Sequence, residues 1–197
     1  MYFITGDQHY GHGRIIKHCG RPYKDENEMD EDMIAKHNGV VGKDDIVINA
    51  GDFCWIKAYK SDTYEHGVYK SIRGNDAHSY ISRLNGHQIF LRGDHDKWML
   101  ARGSHFGDIW SKMMDKERNE FLVVCHYAMH TWARSHYNSW HLYAHSHKEL
   151  NLRGKRHCVS VDNTDFYPLS FDQVREIMVK KEDNPNFIKP EDRHVRR

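Results

Sequence analysis

Five apolar runs in this chain each end in residues of the types that hold metal ions. Asp7 and His9 follow Tyr2 to Thr5, and Asp52 follows Ile46 to Ala50. Asp94 and His95 follow Gln88 to Leu91, His126 follows Glu120 to Cys125, and His145 and His147 follow His141 to Ala144. A single histidine or aspartate after a strand is ordinarily a turn or surface residue, and Asp52 alone would read as the start of an Asx turn. Repetition at five strand ends points instead to one cluster, because ligands of α/β sheets gather outside the carboxyl ends of the strands. Imidazole mixed with carboxylate suits transition metals better than the all-oxygen site of calcium. Asp7, His9, Asp52, Asp94, His126, His145 and His147 are more donors than one tetrahedral ion needs. Two ions about 3.5 to 4 Å apart would use them all and could clamp a phosphoryl group. Within Asp7-x-His9 and His145-x-His147 the two-residue spacing predicts both side chains on one side of an extended segment, converging on one centre.

The elements that must position these residues alternate between strand and helix, which predicts an α/β class. Helices are expected over Arg14 to Cys19 and over Glu26 to Asn38, where Met29, Met33, Ile34 and His37 recur on one face and Gly39 provides a stop. Helical stretches are also expected around Thr63 to Ile72 and His78 to Leu84. Asp108 to Met114 and Glu120 to Cys125 read as paired strands, and Arg156 to Val161 as a strand ending at Asp162. A Ser-capped helix is expected from Ser170 to Lys181, with Phe171, Val174, Ile177 and Met178 on one face.

The 197 residues fit one domain, expected over residues 1–181, followed by a charged tail over 182–197 that should fray. Lys and Arg total 29 against 28 Asp and Glu, a balance without the positive field that long nucleic acid attracts. Cys19, Cys54, Cys125 and Cys158 form no Cys-x-x-Cys pair and suggest neither a zinc ribbon nor a disulfide framework. No tripartite leader and no membrane-length apolar run is evident, so the expectation is a soluble protein of the cytoplasm with no membrane partner.

Taken in order, Asp7-x-His9, Gly51-Asp52, Gly93-Asp94-His95-Asp96, His126 and Ala144-His145-x-His147 resemble the signature of the calcineurin-like metallophosphoesterases. The resemblance implies a four-layer sandwich, two mixed β-sheets flanked by helices, with two divalent metal ions at one end. Manganese is the first expectation, with iron, zinc, nickel or cobalt as alternatives. By the same resemblance Asp7, His9 and His147 hold one metal, Asp94, His126 and His145 the other, and Asp52 bridges them. It implies a phosphoesterase acting on phosphodiesters or phosphomonoesters, nucleotides among them, through a metal-bridging hydroxide. His95 then faces the phosphate opposite the attack, Asp96 orients His95, and Arg92 contacts phosphate. Two departures stand out: Ala144 replaces the usual Gly, and Asp94 replaces the usual Asn. The added negative charge brings the centre nearer to neutral, which predicts lower turnover, since polarising phosphate depends on unspent positive charge.

Lesser candidates surround this set. Gly11-His12-Gly13-Arg14 opens a helix whose backbone amides could hold phosphate, making His12 and Arg14 candidate substrate contacts, or the glycines merely make a flexible loop. Trp55, Tyr59, Tyr64 and Tyr69, and then Tyr127, Trp132, Tyr137 and Trp140, could stack a nucleobase, although loop aromatics more often pack their own loop. His130, His136 and His141 read as surface residues, and Gly74-Asn75-Asp76 as a turn. A helical phosphohydrolase using the His95-Asp96 doublet is disfavoured because the doublet follows a strand-like run. A catalytically silent metal-binding scaffold on the same fold is the alternative that the Asp94 departure keeps alive. No Gly-x-Ser-x-Gly elbow and no phosphate-binding Walker loop is found.

Overall fold

The computed structural model describes residues 1–55, 63–65, 68–70, 77–99 and 108–195. Among these residues, ten strands and four α-helices run in the order β1 (Tyr2–Thr5), α1 (Gly13–Cys19), α2 (Glu26–Val40), β2 (Ile46–Asn49), β3 (Thr63–Glu65), β4 (Val68–Lys70), α3 (Ala77–Ile81), β5 (His87–Phe90), β6 (Ile109–Asp115), β7 (Glu120–Cys125), β8 (Trp140–Tyr143), β9 (Arg156–Cys158), β10 (Leu169–Ser170) and α4 (Phe171–Lys180). They build two mixed four-stranded sheets, ordered β10-β1-β2-β5 and β6-β7-β8-β9. In the first, β1, β2 and β5 are parallel and β10 is antiparallel to β1. In the second, β6 and β7 are antiparallel, while β7, β8 and β9 run parallel.

Period-2 alternation decides which side chains meet. Ile4, Ile48 and Leu91 from the first sheet share a buried cluster with Leu122, Val124, Leu142 and Ala144 from the second, so the sheets pack against each other. Phe3 and Val47 point the other way and pack with Val41 at the end of α2. Over the first sheet, Ile15 of α1, Met29, Met33 and Ile34 of α2 and Tyr80 of α3 form a second cluster with Tyr10, Phe53 and Trp98. Phe171, Val174 and Met178 of α4 enter the inter-sheet core, and a Ser170–Gln173 capping box starts that helix.

Several expectations are corrected by tertiary contacts. Residues 63–65 and 68–70 form an antiparallel hairpin with Tyr64 opposite Tyr69, not a helix, as suits the β-branched and aromatic content of Thr63, Tyr64, Val68 and Tyr69. Helix α2 continues through Gly39 to Val40, because burial of Val41 against Phe3 and Val47 sets its end. Helix α3 is short and leaves through tighter turns, Arg83 N to Tyr80 O and Leu84 N to Ile81 O.

The tail beyond α4 docks where fraying was expected. Asn184, 3% exposed, donates to the Ser135 and Ser139 carbonyls at 3.0 and 2.9 Å and accepts from Lys155 N at 2.7 Å. One amide side chain thereby satisfies backbone groups that the 135–139 turn would otherwise leave unpaired. His141 is wholly buried, with Nε2 accepting from Met129 N and Nδ1 donating to Val123 O, so it ties this loop to the second sheet and is no surface residue. His130 is exposed and His136 half-buried. No helix among the described residues is long and apolar enough to cross a membrane. Tyr59 and the Gly74-Asn75-Asp76 turn lie outside the described residues, as do the side chains of Tyr64 and Tyr69.

Candidate metal centre

Parallel pairing brings the ends of β1, β2 and β5 to one edge, and the ends of β7 and β8 to the same place from the other sheet. Backbone bonds lock the strand-end loops together: Asp7 N to Gly51 O at 2.9 Å, His9 N to Asp52 O at 3.0 Å, and Ala144 N to His126 O at 3.0 Å. Glycine is required at two of these ends. A Cβ on Gly93 would lie 2.4 Å from the Asp52 backbone nitrogen, and one on Gly51, whose φ is +105°, 2.7 Å from the His126 ring. The Gly-Asp pairs thus let two backbones touch while each aspartate turns into the pocket. Ala144, in contrast, keeps an ordinary φ and is fully buried beside Gly6, so the departure from Gly is accommodated.

Asp7, His9, Asp52, His145 and His147 all adopt left-handed φ, between 54° and 65°. The Asp-x-His and His-x-His pairs therefore converge through alternating left-handed residues, not through an extended segment. Such a conformation costs an L-residue roughly 1 kcal/mol or more, and five together at strand ends mark a place where surrounding contacts override local preference.

The convergence is close. Ligand-type atoms of Asp7, His9 and His147 lie within 4.8 Å of one another, as do those of Asp94, His126 and His145. Asp52 stands between the trios, with one oxygen, Oδ2, 3.5 Å from His9 Nε2 and 3.6 Å from His126 Nε2. Among buried side-chain N and O atoms of the described residues, Asp7 Oδ2, His9 Nε2 and His126 Nε2 lack any hydrogen-bond partner, and all three face this pocket; the fourth such atom, Arg156 Nε, is elsewhere. Buried polar atoms are rarely left so.

The outward ring nitrogens explain why the inward ones stay free. His126 Nδ1 donates to Ala50 O at 2.9 Å, and His147 Nδ1 lies 2.7 Å from Asp162 Oδ2. His9 Nδ1 meets His12 Nδ1 at 3.2 Å. For His9 and His126 the contact at Nδ1 leaves Nε2 without a partner on the pocket side, the arrangement by which outer partners orient metal-binding histidines.

Electrostatics fit a cation. Burial raises the Asp7 pKa to about 7 and pushes that of Asp52 up as well, so both carboxylates carry charge at a cost that a bound cation would offset. Burial lowers His126 to about 4 and holds His9 far below its usual range, keeping both imidazoles in the neutral form that ligates. For His147 burial works downward, yet the Asp162 hydrogen bond and the charge of Asp7 leave its pKa raised. The two trios differ in access: the side chains of Asp94 and His145 are 34% and 50% exposed, while those of Asp7 and His9 are buried.

Arg21 and Asp162 form a support that motif reading missed. Arg21, 5% exposed, donates to Asp7 O at 2.7 Å, to Gln8 O at 2.8 Å and to both Asp162 oxygens. Asp162 in turn holds His147. Asp162 carried a signal, since it ends a strand-like run; Arg21 carried none. Asp162→Asn keeps a hydrogen-bond acceptor for His147 but removes its charge. Its expected effect is a 10- to 100-fold loss of metal affinity, read by chelator competition, with native affinity counting against an orienting role.

The other site candidates divide: His95, His12 and Arg14 are at the pocket, while Asp96 and Arg92 are engaged elsewhere. The oxygens of Asp96 are taken up by groups other than the His95 ring: they accept from Asp52 N, Phe53 N, Gly93 N and Trp98 Nε1, at 2.7 to 2.8 Å. It clamps the two Gly-Asp loops together, since three of its four bonds come from their backbone amides. His95 faces the pocket with Nε2 3.9 Å from Asp52 Oδ2. Arg92 is anchored through its backbone to Asp108 and does not line the pocket beside the first trio. Arg14 and His12 do line it. The Gly11 amide is not available to phosphate, because it donates to both oxygens of Asp30. The Tyr127 hydroxyl donates to Asp94, which also meets His145 Nδ1 at 3.4 Å.

No protein-family model matches the chain. An uncharacterized protein of Methanocaldococcus jannaschii is 25% identical over 185 residues, covering 90% of this chain and 91% of that one. The crystal structure of a protein of unknown function from Aquifex aeolicus is similar with a TM-score of 0.57 and 18% identity, over 90% of this chain and 98% of that one. The latter is a likeness of fold.

Proposed function

We propose that this protein is a dinuclear metal-dependent phosphoric ester hydrolase of the calcineurin-like type. The observation that carries the reading is the pair of donor trios, Asp7, His9, His147 and Asp94, His126, His145, with one oxygen of Asp52 nearly equidistant from a histidine of each. That division is the one the resemblance implies, and the closeness of the ligand-type atoms within each trio supports it. The two packed sheets, with helices over the first, correspond to three of the four layers that the resemblance implies.

Two bound divalent ions would supply water activation and charge stabilisation at a transferring phosphoryl group. Manganese is the first candidate, with iron, zinc, nickel or cobalt as alternatives. The chain's own residues do the rest. Asp52 is held in register by the His95 amide, which donates to Oδ1 at 2.8 Å and leaves Oδ2 for the centre. His95 stands at the pocket wall within reach of a leaving oxygen and can protonate it or offset its charge. The more exposed trio, around Asp94 and His145, gives an ester access from solvent.

The test is reconstitution of chelator-treated protein with manganese, a metal count, and a screen of phosphomonoesters, linear and cyclic nucleotides and short RNA ends. Two metals per chain with ester hydrolysis is the expected result. Two metals per chain without hydrolysis, across manganese, nickel, cobalt and iron, would overturn it in favour of a silent scaffold.

A further inference from the structure

We propose that Tyr127 is the positioning residue of the second metal site: its hydroxyl occupies one oxygen of Asp94 and leaves the other as a single ligand for the ion. This rests on the dinuclear reading and names the residue that braces the trio of Asp94, His126 and His145. Around the first trio each ligand is held from behind. Asp7 Oδ1 accepts from His145 N at 3.1 Å, His147 meets Asp162, and His9 meets His12. In the second trio His126 is anchored to Ala50 O, but the side chains of Asp94 and His145 are partly exposed. An exposed carboxylate keeps rotamer freedom that binding an ion would have to remove.

Tyr127 touches every member of that trio. Its hydroxyl donates to Asp94 Oδ1. Its ring centroid lies 5.1 Å from that of His145 and 4.9 Å from that of His126, the latter pair meeting edge to face at 76°. The two histidine rings are themselves 5.1 Å apart. The backbone just beyond Tyr127 is fixed, because the wholly buried His141 accepts from Met129 N at 3.0 Å. The phenol therefore reaches Asp94 from a braced loop, one residue past a ligand candidate of the same trio.

The bond divides the carboxylate. Oδ1 is engaged by the hydroxyl, while Oδ2 lies 3.4 Å from His145 Nδ1. A carboxylate with both oxygens free can hold a cation bidentately, a mode common at calcium. With one oxygen engaged it offers a single point, as suits a transition metal beside two imidazoles. A hydrogen bond to an ionised carboxylate is also strong and draws on its charge. The Tyr127 hydroxyl thereby tempers the negative charge that distinguishes Asp94 from an amide at this position, and leaves more of the ion's charge for a phosphoryl oxygen.

Manganese titration of chelator-treated protein, followed by metal count and by low-temperature electron paramagnetic resonance of the coupled pair, is the test. Tyr127→Phe should weaken one of the two binding steps about 10- to 100-fold and leave the other within about twofold. The weakened step should differ from the one that Asp162→Asn weakens, and the coupled-pair signal should vanish at manganese concentrations that fill only the other site. Tyr127→Ala separates the hydroxyl from the ring, which packs on both histidines. Native binding by Tyr127→Phe overturns the proposal, and if Tyr127→Ala alone is weakened, packing of the ring is the cause. Equal weakening of both steps by Tyr127→Phe overturns it too, as does weakening of the step that Asp162 controls. Native protein that binds two ions, loses one selectively in Tyr127→Phe and cleaves no ester leaves the proposal standing and removes the hydrolase reading. Native protein that binds fewer than two ions overturns both.

Discussion

Asp52→Asn should lower the metal content from two ions per chain to one or none and reduce ester hydrolysis by on the order of 10³-fold or more, beyond the 10- to 100-fold typical of losing an outer partner. The substitution is nearly isosteric, so the fold should survive. An amide oxygen can still accept from His95 N as Asp52 Oδ1 does at 2.8 Å. The amide nitrogen then occupies the position of Oδ2, 3.5 Å from His9 Nε2 and 3.6 Å from His126 Nε2. It would donate toward those lone pairs instead of sharing a negative charge with a cation. Elemental analysis of the purified variant, alongside its circular dichroism, is the check. A folded variant that still holds two ions would remove Asp52 from the bridging position.

Asp96→Asn should act through stability instead. The aspartate is fully buried, and its two oxygens take four N–H donors from Asp52, Phe53, Gly93 and Trp98. Burial raises its pKa against the pull of these donors. An amide at this position presents its own N–H groups to two of the four, leaving buried donors unpaired. Each such donor costs about 1 to 3 kcal/mol, so the variant should lose about 3 to 5 kcal/mol. For a chain of this size that lowers the melting temperature by about 10 °C. The metal centre should loosen with it, since the amides of Asp52 and Gly93 are the groups Asp96 joins. Denaturant unfolding at fixed metal concentration reads the effect, and a loss below about 1 kcal/mol would show that the clamp is dispensable.

These two aspartates divide what is legible at the level of motifs from what is not. Asp52 announces itself, because a carboxylate after a strand and a glycine is an economical way to aim charge at a strand end. Asp96 belongs to the next motif of the same signature, yet its role is set by which donors surround it, and three of those come from residues 52, 53 and 98. Arg21 lies further still from any local pattern: its guanidinium reaches Asp7 and Asp162, the latter 141 positions away. No periodicity links such positions.

By itself the sequence determined the strand-helix alternation, the five strand ends and the residue types placed there, because side-chain periodicity and metal-ligand chemistry are local properties. It also determined the pairing of β6 with β7 and the capped helix α4, whose signals lie within a few residues. Only the tertiary structure decided that Trp55 is open while Trp132 and Trp140 are buried, that residues 63–65 and 68–70 pair as a hairpin, and that Asn184 pins the tail. It alone placed five candidate ligands in left-handed backbone, a conformation that their neighbours impose and their own preferences oppose. The physical reason is that burial, backbone strain and buried hydrogen bonds depend on atoms brought together from distant parts of the chain.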